Sequence, residues 1–517
     1  ATLLGLAFKL YDPDHLLGDT VNIGITCALI PSDHPGVIIG RRHFVANALF
    51  INGPTSGKAV FIPLDWIIGG VAQKGRGWRM LTESLSAGRA MALPGLSLGG
   101  LYAVTLASSA YAFIRKQFKL PIGKFEGVQE QLALMAIALY QTETMMHLTL
   151  SAVDSGEKPS VLSAILKYYA TENMRSATQA AMDVQGGKGI CMGPRNYLSE
   201  AYQMTPVGIT VEGANILTRN MIIFGQGAIR CHPYINDCLQ ALNKADPKQS
   251  LLAFDKAIWS HVAHFICLWP RIFFQSLSGG WLIWPQSHAY KRELQKLTLR
   301  STRFAFLSEI CFLVYGSQLK FAERVSARMA DMLIHLYAAS SVLKYNAAGL
   351  DTQLWAQGMA KRLNEAAISD NLYLIDKASA ELLEQLPKPG FAKLLSILCL
   401  PWGRKRAGIS DTHKRSIAKK LLMNEAMAQN IDTKVYSGVN AQSLLANLMR
   451  THQEALVCEP LYQKIKPINA NHPDRVQEAF SQGLITAAER LQLQTLEQAI
   501  ANIIAVDDFP AEAFSRA

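Results

Sequence analysis

The sequence predicts a mainly α chain with a small β-domain in front, and three observations carry that reading. Residues 1–75 hold short apolar runs, Leu3 to Leu10, Gly24 to Ile30 and Lys58 to Ile62, broken by Pro, Gly, Asn and Asp. From about residue 78 the apolar period turns helical and stays so to the end. Half of the 517 residues are apolar and 18% are charged, which is the balance of a well-cored globular chain of about three domains. The expected order is a small sheet or partial barrel over 1–78, an antiparallel helical bundle over 79–240 and a helical extension over 241–517.

The clusters Pro31-Ser32-Asp33-His34-Pro35-Gly36 and Asn52-Gly53-Pro54 are turns between strands. Residues 79–118 then read as one long helix with a kink at Pro94, and Gly95, Gly99 and Gly100 permit close helix approach. The next helix carries Val128, Leu132, Met135, Leu139 and Met146 as a core stripe. A third opens at Pro159-Ser160, turns Leu162, Ile165, Leu166 and Tyr169 inward, and ends at Gly186-Gly187. A fourth runs from near Glu212 to about Phe224. Four such helices with short connections make an antiparallel bundle.

In the extension, Thr302 to Tyr345 holds two helices, and Thr486-Ala487-Ala488-Glu489 is a capping box opening the last one. Asn430 to Asn440 and Lys464 to Asp474 read as loops. The segment His261 to Pro285 is rich in Phe, Ile, Leu and Trp, but Pro270, Arg271 and Gly279-Gly280 interrupt it, which argues against a spanning helix. Leu394 to Trp402, followed by Arg404, Lys405, Arg406, Lys414, Arg415, Lys419 and Lys420, reads first as a domain-packing patch beside a solvated basic face. The other reading of both segments is contact with an anionic membrane surface.

The formal net charge is +11 and the sequence pI about 9.1. A basic balance suits phosphorylated ligands, anionic lipid or an acidic partner. There is no nucleic-acid motif and no long Lys/Arg run, so nucleic acid is not an expected partner. The eight cysteines are scattered without metal or disulfide spacing, and buried free thiols are expected. His261 and His264 lie three apart, but no further Cys, His or carboxylate set is near them in the sequence, so no metal is expected.

The chemistry gathers in a few segments. Gln185-Gly186-Gly187-Lys188-Gly189 is followed by Val211-Glu212-Gly213-Ala214-Asn215, a carboxylate at the mouth of a helix. Alone, a Glu before Gly is far more often a solvated turn residue than a base. Gly88-Arg89-Ala90-Met91-Ala92, Arg115-Lys116-Gln117-Phe118 and Pro121 to Gln129 precede them. In this order and at these spacings the segments resemble the acyl-CoA dehydrogenases. The resemblance covers about residues 1–240, where it implies the later half of a middle β-barrel and the family's four-helix bundle. Beyond that the chain resembles the helical C-terminal extension of the large bacterial long-chain acyl-CoA dehydrogenases of the gamma-proteobacterial type. The chain opens on Ala1 to Phe8, which already reads as a core strand, so it is expected to begin inside a domain.

The resemblance implies α,β-dehydrogenation of a long-chain fatty acyl-CoA to a trans-2-enoyl-CoA, the first step of β-oxidation, with FAD as cofactor. Glu212 matches the base that takes the α-proton. Burial raises a carboxylate toward a useful basicity, donors must meet the forming enolate, and the hydride needs a sink that no amino acid provides. The family's other position for the base corresponds to Gly88, which cannot act as one. Arg89 and Gly213 match the active-site wall. Arg115 and Phe118 match residues that reach the FAD of a neighbouring subunit, and Gly186 and Gly187 match glycines that let backbone approach it, which implies a homo-oligomer. Asp183, Lys119, Glu126, Ala214 and Ser199-Glu200 depart from the family's pattern. Extra acids there would repel a pyrophosphate unless Lys119 or Lys188 compensates. An electron acceptor such as an electron-transfer flavoprotein is implied, with a cytoplasmic location that extends to the periphery of the inner membrane. Two alternatives stay open: an acyl-CoA oxidase, and a non-catalytic helical unit for oligomerisation or membrane docking.

Overall fold

The structure is a computed structural model that describes residues 2–46, 52–227, 232–242, 244, 246–350, 355–405, 407–426, 443–469 and 472–514. Two antiparallel hairpins stand where a sheet or partial barrel was expected. β1 (Leu3–Tyr11) pairs with β2 (Asn22–Pro31), in register from Leu3 opposite Pro31 to Tyr11 opposite Asn22. β3 (Val37–Ile39) pairs with β4 (Thr55–Gly57). The apolar run Lys58 to Ile62 is not a strand. Val60 folds back over Gly57, where an added Cβ would lie 2.8 Å from its Cγ2, so the run covers the second hairpin instead of extending it.

Gly75 and Gly77 fix the entry to the bundle. A Cβ on Gly75 would lie 2.5 Å from the Ile23 carbonyl, and one on Gly77 would lie 2.8 Å from the Ile25 carbonyl. Only glycines allow this approach to β2. The Gly75 N–H also donates to Thr26 Oγ1 at 3.0 Å. α1 (Gly77–Ile114) then runs through Pro94 and stops four residues before the expected end. It stops because β5 (Lys116–Gln117) and β6 (Leu120–Pro121) form a tight hairpin. Phe118 and Lys119 hold its turn with φ of 48° and 64°, as a two-residue hairpin of the primed type requires.

α2 (Glu126–Asp154) returns along α1, and α3 (Ser160–Gln185) runs back beside it. α1 and α3 are therefore parallel. Glu83 pairs with Lys158 at 3.1 Å near their starts, and Gly100 meets Met174 further along. Of the three small residues expected to allow close approach, Gly100 does so: its Cβ would lie 2.5 Å from Met174 Cε, whereas Gly99 faces open space. The expected fourth helix is divided. α4 (Gly187–Ile190) and α5 (Ser199–Thr210) precede it, the latter hidden in the sequence by Pro206 and Gly208. α6 (Asn215–Leu217) opens after Glu212 and continues as a π-helix over Thr218–Gln226.

The extension consists of α7 (Ile235–Leu242), α8 (Pro247–Leu277), α9 (Lys291–Tyr315), α10 (Glu323–Ala347) and α11 (Gln357–Glu384), then α12 (Pro389–Cys399), α13 (Asp411–Leu422), α14 (Leu444–Lys464), α15 (Arg475–Ser481) and α16 (Ala487–Ile504). α9 and α10 are the two helices expected between 302 and 345. The capping box holds: Glu489 N–H donates to Thr486 Oγ1 at 3.2 Å, and Thr486 N–H donates to Glu489 Oε2 at 2.7 Å. A loop joins α14 to α15 as expected, while Asn430 to Asn440 lies outside the described residues. α8 passes through Pro270 unbroken and ends only before Gly279 and Gly280, whose φ are 56° and 86°. The interruption expected at Pro270 is therefore absent. α1 and α8 are both long and apolar enough to cross a membrane, but half of α1's most apolar window is buried in the bundle against 11% of α8's.

Bundle and extension share one core, continuous from Leu101 to Ile503. Polar bonds tie the two across that core. The Glu143 carboxylate accepts from Tyr102 Oη at 2.6 Å and from Trp355 Nε1 at 3.1 Å, and Thr149 Oγ1 bonds Tyr337 Oη at 2.8 Å. Within the extension, buried Asp376 lies between Arg300 at 2.6 Å and Arg303 at 2.7 Å. The described cysteines are all free. Cys27, Cys311, Cys399 and Cys458 are buried as expected, while Cys191 and Cys267 are exposed.

Candidate active site

Glu212 lies in the linker between α5 and α6 with φ at 55°, a left-handed conformation uncommon for a residue with a Cβ. Gly213 follows at φ 93°. Two cations from different helices hold this turn. Arg89 of α1 donates from Nε to the Glu212 carbonyl at 2.8 Å. Lys167 of α3 donates from Nζ to the Gly213 carbonyl at 2.8 Å and to Asn215 Oδ1 at 2.7 Å. A Cβ on Gly213 would come within 3.2 Å of both Arg89 Nη2 and Thr218 Oγ1, so the turn has no room for a larger residue.

The carboxylate itself points toward α1. A Cβ built on Gly88 would lie 3.8 Å from Glu212 Oε1. The other carboxylate oxygen, Oε2, is buried and accepts no hydrogen bond among the described residues. A buried carboxylate oxygen without a donor is costly in a finished structure, and such orphans concentrate where a ligand completes the site. Glu212, Gly213, Arg89 and the glycine at 88 are thus brought to one place from segments 123 residues apart.

The remaining expected residues lie at the other end of the bundle. Arg115 closes α1, and its carbonyl accepts from the Ile122 N–H at 2.8 Å. Phe118 is 88% exposed, edge-on to Phe125. Gly186 ends α3 at φ 59°, and neither it nor Gly187 has any atom within 4 Å of a built Cβ. Among the described residues, nothing fills the space beside them. From Arg89 to Arg115 along α1 is about 39 Å at the helical rise. One of the departures, Glu126, finds a partner in the extension, as does its neighbour Glu130. Glu126 pairs with Arg415, and Glu130 with Lys414. Lys188 does not face a ligand: its buried Nζ donates to the Ala505 carbonyl at 2.8 Å and the Arg195 carbonyl at 3.0 Å.

The basic run after Trp402 is not a single solvated face. Lys405 turns inward to Ser369, Lys414 and Arg415 grip α2, and Arg406 lies outside the described residues. The two histidines of α8 acquire neighbours that their spacing did not show. Glu309 accepts from His261 Nε2 at 2.7 Å and from His232 Nε2 at 2.8 Å. Burial pushes the Glu309 carboxyl up, but the hydrogen bonds from His232 and His261 hold it below its ordinary value. His232 Nδ1 accepts the N–H groups of Tyr234 and Ile235, both at 3.2 Å, at the start of α7. Its Nε2 therefore bears the proton given to Glu309, so His232 caps α7 and braces Glu309. The ligand atoms of His232, His261 and Glu309 lie within 4.8 Å of one another, close enough to hold a metal ion.

Sequence reasoning missed Lys167. It lies on the inward stripe of α3 beside Leu166 and is fully buried. Its signal was a lysine at a position where the helical period demands an apolar residue.

Two family models match the chain: "Acyl-CoA dehydrogenase, C-terminal domain" over residues 75–225 and "Acyl-CoA dehydrogenase, C-terminal, bacterial type" over 229–509. The chain belongs to the acyl-CoA dehydrogenase family. Within that family its extension is of the bacterial type. Among curated relatives, the protein named HemX of Proteus mirabilis is 60% identical over 104 residues, 20% of this chain and 61% of that one. The mitochondrial isobutyryl-CoA dehydrogenase of Dictyostelium discoideum is 26% identical over 205 residues, 38% of this chain and 47% of that one. The chain thus spans about half to three fifths of the length of these relatives. The acyl-CoA dehydrogenase of Bacillus anthracis, solved in complex with FAD, shares the fold at a TM-score of 0.61 and 16% identity, over 78% of this chain and 66% of that one.

Proposed function

We propose that the chain forms the catalytic bundle and extension of a flavin-dependent acyl-CoA dehydrogenase, with Glu212 as the base that takes the α-proton. The observation that carries this is Glu212: its Oε2 is buried and has no donor among the described residues, and its turn is held in a left-handed conformation by Arg89 and Lys167. Backbone strain of this kind persists only where the surroundings enforce it, and it clusters at working sites. The open flank of Gly186 and Gly187 and the exposed Phe118 and nearby Arg115 fit a dinucleotide lying against the far end of the bundle, away from Glu212 of the same chain. Bound FAD supplies the hydride acceptor. Glu212 removes the proton, Arg89 fixes the turn that aims it, and Gly88 leaves the substrate room beside α1.

Arg115 and Phe118 lie farther from Glu212 of the same chain than one dinucleotide reaches. This supports a homo-oligomer in which the cofactor at one Glu212 is touched by another subunit's hairpin. The resemblance of the extension to the large bacterial enzymes supports a long-chain acyl-CoA as substrate and a flavoprotein as electron acceptor. α8 and the segment after it support peripheral contact with the cytoplasmic face of a membrane: Trp259 is 70%, Ile266 61% and Trp284 83% exposed. Such amphipathic Trp-bearing surfaces favour the lipid–water boundary.

The test is the absorbance spectrum of the flavin-loaded protein under anaerobic addition of palmitoyl-CoA. Bleaching of the flavin bands is expected; a flavin that stays oxidised with palmitoyl-CoA and with shorter acyl-CoAs would overturn the reading.

A further inference from the structure

Lys167 is a buried ammonium whose bonds all go to neutral acceptors. Besides the Gly213 carbonyl and Asn215 Oδ1, it reaches the Ile209 carbonyl at 3.4 Å. Among the described residues it forms no ion pair, and it is 0% exposed. An unpaired cation in a dry interior is expensive, and an apolar residue on the same stripe would cost less. Three charged groups surround it: Glu212 on the turn and Glu172 on its own helix favour its charged form, and Arg89 on α1 opposes it. Burial is the largest influence and brings Lys167 down to about 8. Asn215 cannot turn away, because its Nδ2 donates to Thr171 Oγ1 at 3.0 Å and to Glu172 Oε1 at 2.8 Å. The amide oxygen is thereby fixed on the lysine.

We propose that Lys167 is a positioning residue for proton abstraction: its ammonium clamps the Gly213 carbonyl and Asn215, and so keeps the Glu212 carboxylate aimed past Gly88. Arg89 clamps the carbonyl of residue 212 and Lys167 that of residue 213, so the strained turn is held from two helices at successive peptide units. This inference rests on Glu212 being the base, and the experiment separates the two.

Wild type, K167M, K167R and E212Q are compared as flavin-loaded proteins with palmitoyl-CoA. The readouts are kcat and KM across pH, exchange of the substrate's α-hydrogen with deuterated solvent, and circular dichroism for the fold. K167M is expected to lower kcat about 100-fold with KM moved less than about threefold, since a hydrogen bond to a charged group is lost from a working geometry rather than from binding. Exchange should fall in step, because the carboxylate is no longer held where it meets the α-hydrogen. K167R should recover most of the rate, and it should lack the alkaline decline expected of wild type near pH 8, since burial brings Lys167 down to about 8. A folded K167M with wild-type kcat and exchange overturns the proposal. If E212Q is inactive and K167M is not, only this proposal fails; if E212Q is active, the base assignment fails with it. Should K167M not fold, K167R decides: an alkaline limb that stays where wild type has it overturns the role.

Discussion

Consider relocating the carboxylate from position 212 to position 88 with the pair E212G and G88E. The Cβ of a residue at 88 would lie 3.8 Å from the present site of Glu212 Oε1. A glutamate spans about that distance from Cβ to its own carboxylate oxygen in an extended rotamer. Among the described residues, no other atom outside the helix's own backbone lies within 4 Å of that Cβ. Glu212 holds φ at 55°, which costs a residue with a Cβ about 1–2 kcal/mol, and glycine is spared that cost. Glycine's greater freedom in the unfolded chain costs about 0.5–1 kcal/mol in return, so E212G should melt within about 1 kcal/mol of wild type. Within α1, Gly88→Glu should add up to about 1 kcal/mol through helix propensity. The catalytic effect is of another size. Loss of a positioned general base removes about 10²–10⁴-fold in rate. E212G should therefore fold, bind flavin and lose at least about 100-fold in kcat, and adding G88E should restore about tenfold or more of that loss. The assay is anaerobic flavin bleaching by palmitoyl-CoA, with thermal melts of all three variants. A folded double variant no faster than E212G, or an E212G that bleaches at the wild-type rate, would refute the geometry.

Further outcomes follow from other parts of the structure. R89K loses the Nε donor to the Glu212 carbonyl and should lower kcat/KM about 10–100-fold at unchanged flavin content, read by steady-state kinetics. D376A leaves Arg300 and Arg303 buried without their partner and should cost about 3–5 kcal/mol in urea unfolding. Burial pushes the Asp376 carboxyl up, but Arg300 and Arg303 outweigh it and leave it below its ordinary 3.8, so its contribution is full above that pH and lost as pH falls below it. Wild type should thus lose stability faster than D376A as pH falls below that value. Replacing Trp259 and Trp284 by Ser should weaken binding to anionic phospholipid vesicles by about tenfold or more per residue, measured by sedimentation, if α8 docks on a membrane.

The bundle was legible because its apolar stripes keep strict helical spacing, and Leu132, Met135, Leu139 and Ile165 are all buried where that spacing put them. Its interruptions were not. Phe118 and Lys119 look like helix continuation, and only the hairpin closed between Arg115 and Ile122 forces them into left-handed turns. Pro270 looks like a break, yet α8 runs through it. The functional turn was readable in part: Glu212, Gly213 and Arg89 stood out as a set by order and spacing. Lys167 did not, because a periodicity argument assigns inward positions to apolar residues and treats a lysine among them as an exception. The glutamate-arginine pairing of Glu126 with Arg415 was equally hidden, since 289 residues separate its members and no local rule links them.

The most direct test of the central claim is a stopped-flow comparison of wild type and E212Q, both flavin-loaded, mixed anaerobically with palmitoyl-CoA. Glutamine keeps the shape of the side chain and removes its basicity. The account predicts rapid bleaching in wild type, and in E212Q tight substrate binding with bleaching slowed by about 100-fold or more. Bleaching of E212Q at the wild-type rate would show that another group takes the proton and that the buried carboxylate at 212 serves the fold alone.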